Sequence, residues 1–137
     1  MKICFFDGIN IPYTSEDINS NKIRGAENIL INLSLEFAKL NHEVTIFNNC
    51  IKSKVINKVS WNNINSIQDK PYFDLAITNN DIRLLDKVKS DNKIAISHSI
   101  QTLEKFLRKK QLISYIKNKP KIVLLSDYHE RNRNFLI

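Results

Sequence analysis

"KIRGAENILINLSLEFAKLNHEVTIF", residues 22–47, reads as one helix followed by one strand. Apolar residues at 26, 29, 30, 33, 37 and 40 fall on a single helical stripe, so 26–40 is expected to be an amphipathic helix with one covered face. Beyond Asn41 and His42, "EVTIF" (43–47) is a run of strand length, rich in β-branched and aromatic residues.

The same alternation continues along the chain. "KICFF" (2–6), "DLAIT" (74–78), "KIAIS" (93–97) and "KIVLLS" (121–126) are further short apolar runs, mostly unbroken rather than alternating, as parallel strands covered on both faces read. Segments 82–90 and 103–117 are helix-like, and "KVSWNN" (58–63) reads as a further, edge strand. Residues 48–72 show no helical period, and there are no repeats or low-complexity linkers. Strand alternating with helix implies an α/β fold: a doubly wound, mostly parallel, Rossmann-like sheet with helices on both faces. The runs close on Asp7, Asn48, Thr78 with Asn79, Ser97 with His98, and Ser126 with Asp127. In such a sheet these positions share the carboxyl edge, where ligand crevices form; each by itself is equally a plain turn.

A chain of 137 residues with 42% hydrophobic residues is expected to fold as one domain. No apolar run reaches the length that crosses a bilayer, and the N-terminus does not read as a secretory signal, so a cytoplasmic protein is expected. Cys4 and Cys50 have no metal-ligand or redox spacing and read as small apolar filling. Heavy use of Asn, Ile and Lys reads as genome bias without functional weight. The net charge of +7 is concentrated in 103–121, which carries seven basic residues and one acid. Within 103–117, Leu103, Phe106, Leu107, Ile113 and Ile116 form one stripe, with Lys105, Arg108, Lys109 and Lys117 largely off it. Such a helix can lie on an anionic membrane surface or on nucleic acid, or present a solvated face while its stripe packs on the sheet. Packing on the sheet is the favoured expectation, and nucleic acid the least favoured partner.

The chain has two glycines, Gly8 and Gly25, both between the first strand and the first helix. A residue without Cβ lets backbone approach a ligand, and the first-turn N–H groups offer a positive dipole end to a phosphate. The alternative is a sharp helix start, with Glu27 in the first turn because the dipole favours acids. "IRGAEN" is not the G-x-G-x-x-G fingerprint, and no G-x-x-x-x-G-K-[ST] loop occurs, so NAD enzymes and P-loop NTPases lose support.

"GAENILINLSLEFAKLNHEVTIF" resembles the opening of the N-terminal domain of GT-B glycosyltransferases of the family 4 type, which read Gly-Gly-Ala-Glu, an apolar helix, then Gly-His-Glu-Val and a strand. "FDLAITNN", "KIAISHS" and "VLLSDYHERN" resemble later strands of that domain, in the same order. Two positions depart from the pattern: Arg24 replaces the first glycine, where it crowds a phosphate or adds a cation to it, and Asn41 replaces the glycine before histidine. Asn41 keeps the helix-ending role, because the C′ residue needs left-handed φ and Asn is the best substitute for Gly.

The resemblance implies that the chain is the acceptor-side half of a retaining transferase, moving a sugar from a nucleotide-sugar donor to a saccharide or lipid-linked acceptor. No metal or other cofactor is implied. Gly25, Ala26 and Arg24 would face the donor diphosphate, and His98 would sit near the transferred sugar, a catalytic candidate whose alternative is a packed turn residue. Asp7, Asn79, Ser126, Asp127 and Arg131 are crevice candidates. His42 reads as structural and His129 as part of a solvated helix start. In the family a second Rossmann-like domain with a Glu-x₇-Glu motif holds the nucleotide, so 1–137 is expected to be a single domain cut short at its C-terminus and inactive without that domain or a partner subunit. The alternative function is a non-catalytic module binding a nucleotide sugar, or an anionic membrane or nucleic-acid surface.

Overall fold

The computed structural model describes residues 1–98, 107–124, 126, 127 and 131. Its strands are β1 (Lys2–Phe6), β2 (Glu43–Asn48), β3 (Lys54–Ile56), β4 (Val59–Asn63), β5 (Leu75–Asn79), β6 (Lys93–Ser97) and β7 (Lys121–Leu124). Two α-helices lie wholly among the described residues, α1 (Gly25–Lys39) and α2 (Leu112–Asn118), with 3₁₀ turns at Ser15–Asp17, Ile64–Ser66 and Ile82–Lys87. The strands form one sheet in the order β3-β4-β2-β1-β5-β6-β7, parallel throughout except for the β3–β4 pair. With β3 set aside this is the Rossmann order, and the sheet grows in opposite directions from β1, which makes the β1–β5 junction its topological switch point.

Both faces of the central strands β1, β2 and β5 are buried, which is why their runs are unbroken rather than alternating. Ile3 and Phe5 of β1 join Leu30 and Ile31 of α1 in one apolar cluster. Cys4 and Phe6, pointing the other way, join Ile82 and Leu85 of the 3₁₀ segment in a second, against which Tyr115 of α2 packs. Burial pushes the Cys4 and Cys50 thiols up, so both stay protonated.

α1 starts where Glu27 Oε2 accepts the Arg24 N–H at 2.8 Å and ends in a Schellman motif. Asn41 has φ 65°, its N–H donates to the Ala38 carbonyl at 3.0 Å, and the His42 N–H donates to the Phe37 carbonyl at 3.2 Å. Asn41 thus takes the role expected of it. Asn19, Asn57 and Asn80 also have positive φ. Among the described residues no glycine has positive φ, and asparagine and lysine each supply four of the nine left-handed positions.

Two expectations are corrected. "KVSWNN" does contain a strand, but not at the edge, because β3 pairs outside it through a two-residue turn in which Asn57 and Lys58 have φ 50° and 67°. Positive φ at both central residues is the type I′ geometry that matches strand twist. Segment 82–90 is helical as expected, as a 3₁₀ helix over Ile82–Lys87.

Segment 103–117 is not one helix over its described part. Lys110 takes φ 57°, a turn interrupts the helix at 109–110, and α2 begins at Leu112. Leu107, Ile113 and Ile116 are exposed, so they do not cover the sheet; Leu103, Lys105 and Phe106 lie outside the described residues.

What holds α2 in place is polar. Ser114 Oγ donates to Asp86 Oδ2 at 2.6 Å, Asn118 Nδ2 donates to Asp86 Oδ1 at 2.7 Å, and Lys117 Nζ lies 3.8 Å from Asp86 Oδ1. Partial burial raises the Asp86 pKa, but these two hydrogen bonds, Lys117 and Lys70 together bring it below its ordinary 3.8. A carboxylate with a depressed folded pKa contributes stability above its unfolded value and loses it as pH falls through the folded one. Asp86→Ala is therefore expected to lower the urea midpoint at pH 7 and to match the wild type well below pH 3.8. Equal midpoints at pH 7 would show that this carboxylate does not anchor α2.

Candidate functional site

Strand register builds the site. Phe6 pairs with Phe47 on one side and Thr78 on the other, so the next residues, Asp7, Asn48 and Asn79, stand level at the carboxyl edge. Asn79 pairs with Ile96, which places His98 two residues further out on the neighbouring strand. At the β1–β5 switch point a cleft of about 380 Å³ opens, lined by Asp7, Asn79, Asn80 and His98 from the sheet edge and by Arg24, Ala26 and Glu27 from the start of α1. That volume is in the range of small-molecule sites.

Asn79 joins three elements. Its Nδ2 donates to the Ala26 carbonyl at 3.2 Å, and its Oδ1 lies 3.0 Å from His98 Nε2. A backbone carbonyl only accepts, so it fixes which way the amide faces, and the amide oxygen toward the ring requires the proton on Nε2. In the neutral imidazole Nδ1 is then the acceptor nitrogen. Asn80, at φ 60°, accepts the His98 N–H on its Oδ1 at 2.9 Å, so backbone and ring of His98 are both positioned by β5's last residues.

Asp7 is buried, with 2% of its surface exposed. Its Oδ2 accepts Tyr13 Oη–H at 2.7 Å and its Oδ1 accepts the Ile9 N–H at 3.2 Å. Asn48 Nδ2 holds the Tyr13 carbonyl at 2.8 Å, and Asn49 Nδ2 holds that of Ile9 at 2.6 Å, pinning the β1–α1 connection over the strand ends. Burial pushes the Asp7 pKa up, the bonds from Tyr13 and Ile9 oppose it, and the neighbouring Glu27 raises it further.

A raised carboxylate pKa means that ionised Asp7 costs folding stability at neutral pH, a cost that vanishes once the group is protonated in both states. Asp7→Asn is expected to stabilise the chain at pH 7 and to lose that advantage well below pH 3.8. Midpoints of thermal unfolding at the two pH values test this; destabilisation at pH 7 would mean that the Tyr13 and Ile9 bonds outweigh the charge.

Of the residues expected from sequence, Asp7, Arg24, Ala26, Asn79 and His98 come together here. Gly25 lies between two lining residues, and a Cβ built on it meets nothing within 4 Å, so the fold does not demand glycine there. Gly8 is the more constrained of the two, since its Cβ would lie 3.3 Å from Leu84 Cδ1. Ser126, Asp127 and Arg131 are exposed beyond β7 and are not among the described residues that line the cleft. His129 lies outside the described residues. His42 sits against Phe37 at a ring separation of 5.9 Å, far along the sheet from the cleft at the strand-two start.

Sequence reasoning passed over Glu27 as a site residue. It is 2% exposed, and it faces the cleft while closing the Arg24 turn. An acid three residues after the helix N-cap is a capping signal, but Arg24 in place of Ser or Thr hid it. A second cavity of about 380 Å³ opens near the end of β2, where Lys22 and Lys54 are neutralised by Asp17 (3.6 Å) and Glu16 (3.3 Å). Among the described residues no group of three or more His, Cys, Asp or Glu side chains is arranged to hold a metal, and no helix is long and apolar enough to cross a membrane. Comparison with protein-family models, curated proteins and solved structures returned no match, so the chemistry of the cleft is argued from its own groups.

Proposed function

We propose that the chain is the acceptor-side domain of a glycosyltransferase that moves a sugar from a nucleotide-sugar donor to an acceptor. The observation that carries this reading is the convergence of His98, Asp7 and the first turn of α1 on one switch-point cleft, tied together by Asn79. Sugar transfer separates charge: a diphosphate leaves with negative charge while the sugar ring turns oxocarbenium-like. Arg24, which makes no ion pair with the described residues, and the dipole of the fifteen-residue α1 suit the first; the Asp7 and Glu27 carboxylates suit the second. The amides of Asn79 and Asn80 and the His98 ring offer the donors and acceptors that sugar hydroxyls require. In this reading the nucleotide itself is held by a second domain or a partner subunit.

The test is release of nucleoside diphosphate by protein purified from its own cells, supplied with uridine and guanosine nucleotide sugars and a panel of saccharide acceptors. Release that depends on acceptor supports the reading. No release from any pair, together with no movement of the His98 ring resonances by any sugar or nucleotide sugar, would sink it.

A further inference from the structure

A second concavity, of about 520 Å³, shares a wall with the cleft: Asn80 and Asp81 line both. Its other side is basic, made by Arg83 and by Arg108, Lys109 and Lys110 of the turn before α2. Four cations face one carboxylate. Asp81 is already engaged, since Arg83 Nε and Nη2 donate to its two oxygens at 3.0 and 2.9 Å. Arg108, Lys109 and Lys110 are exposed and ion-pair with no described residue, whereas Lys22, Lys39 and Lys54 elsewhere each have a carboxylate partner.

The basic turn is built into the fold. Lys110 takes left-handed φ, and its N–H closes the turn on the Leu107 carbonyl at 3.1 Å. The next residue, Gln111, is buried and accepts the Ile82 N–H on its Oε1 at 3.2 Å, and the Asp86 cluster clamps α2 immediately behind. Three consecutive like charges fixed beside a fourth repel one another, and an anion placed among them removes that cost. Arg83 uses one edge of its guanidinium on Asp81 and keeps further N–H donors for a phosphate oxygen.

We infer that Arg83, Arg108, Lys109 and Lys110 form a subsite for a second diphosphate group, separate from the leaving one assigned to Arg24 and α1 and borne by a ligand whose uncharged polar end crosses Asn80 and Asp81 toward the His98 cleft. The occupant is a soluble phosphate-bearing molecule rather than a membrane surface, because the cations line a cavity that shares Asn80 and Asp81 with the cleft. This deepens the transferase reading and rests on it for the sugar end alone; the anion subsite stands on charge and shape.

Inorganic pyrophosphate titrated into the chain by calorimetry at low ionic strength tests the subsite, with amide shifts of Asn80, Asp81 and Arg83 as a second readout. Pyrophosphate should bind more tightly than phosphate, weaken with salt, and lose about tenfold or more in affinity in Lys109→Glu/Lys110→Glu, an exposed pair whose replacement leaves the fold intact by circular dichroism. The inference is overturned by no binding, by equal binding in the reversed variant, or by binding to phosphatidylglycerol vesicles or unrelated DNA that pyrophosphate does not displace. Transfer and pyrophosphate binding are scored separately: binding without transfer leaves the subsite and removes the transferase, and transfer without binding does the reverse.

Discussion

Trp61→Ala is expected to cost about 3–5 kcal/mol of folding stability, the range for removing a buried aromatic side chain from a packed core. Trp61 is the largest fully buried side chain among the described residues. It lies on β4, level with Ile46 on one neighbouring strand and Lys54 on the other, and meets the edge of Tyr13 with ring centroids 5.8 Å apart and planes at 72°. Domains are held by only about 5–15 kcal/mol, so the variant should lose a large share of its stability.

The loss should also reach the cleft, because Tyr13, which leans on Trp61, is the donor to Asp7. Trp61→Phe should cost clearly less than Trp61→Ala, since the buried indole Nε1 has no hydrogen-bond partner among the described residues and its removal relieves an unpaired donor. Urea unfolding of the three proteins decides the matter. A cost for Trp61→Ala under about 1 kcal/mol would mean that β4 is not integral to the core.

In the proposed transfer reaction, His98→Ala is expected to lower kcat by about 10²–10⁴-fold, the span typical of a positioned acid–base or orienting group, with little change in stability. The ring is held from one side by Asn79 Oδ1, and Asn79 is itself oriented by the Ala26 carbonyl. Asn79→Ala should therefore reduce kcat by a smaller factor, through loss of ring orientation. In the double variant the two effects should not add, because each breaks the same contact. Rates measured under saturating donor and acceptor test both statements. An unchanged kcat in His98→Ala removes this residue from the machinery, and full additivity removes Asn79 as its positioning partner.

The elements that sequence reading located are those whose pattern repeats over a whole element. α1 announces itself through a stripe four turns long, and the parallel strands through unbroken apolar runs that only two covered faces can tolerate. The elements it missed are short or set by single residues. β3 is three residues long, too short for a period to show, with only Ile56 packed against the core, and its turn uses Asn-Lys where Asn-Gly is the usual signal. The break at Lys110 was invisible because left-handed lysine leaves no mark in the sequence, and the helical period of 103–117 continues across it.

The site divides in the same way. Asp7, Asn79 and His98 were readable because strands that pair in parallel must bring their polar closing residues to one edge. Glu27 and Asn80 were not, since the roles of a capping acid and of a left-handed asparagine depend on what the neighbouring strand places beside them.

Local patterning therefore determined α1, the parallel strands that are covered on both sides, and which strand ends carry polar groups. Those properties follow from periodicity and from the need to bury apolar faces, and both are written residue by residue. Strand order, the position of the switch point, and the gathering of Asp7, Glu27, His98 and the basic turn around one pair of cavities were decided by tertiary structure alone. They depend on which strand pairs with which, a competition among long-range contacts that no window of the chain records.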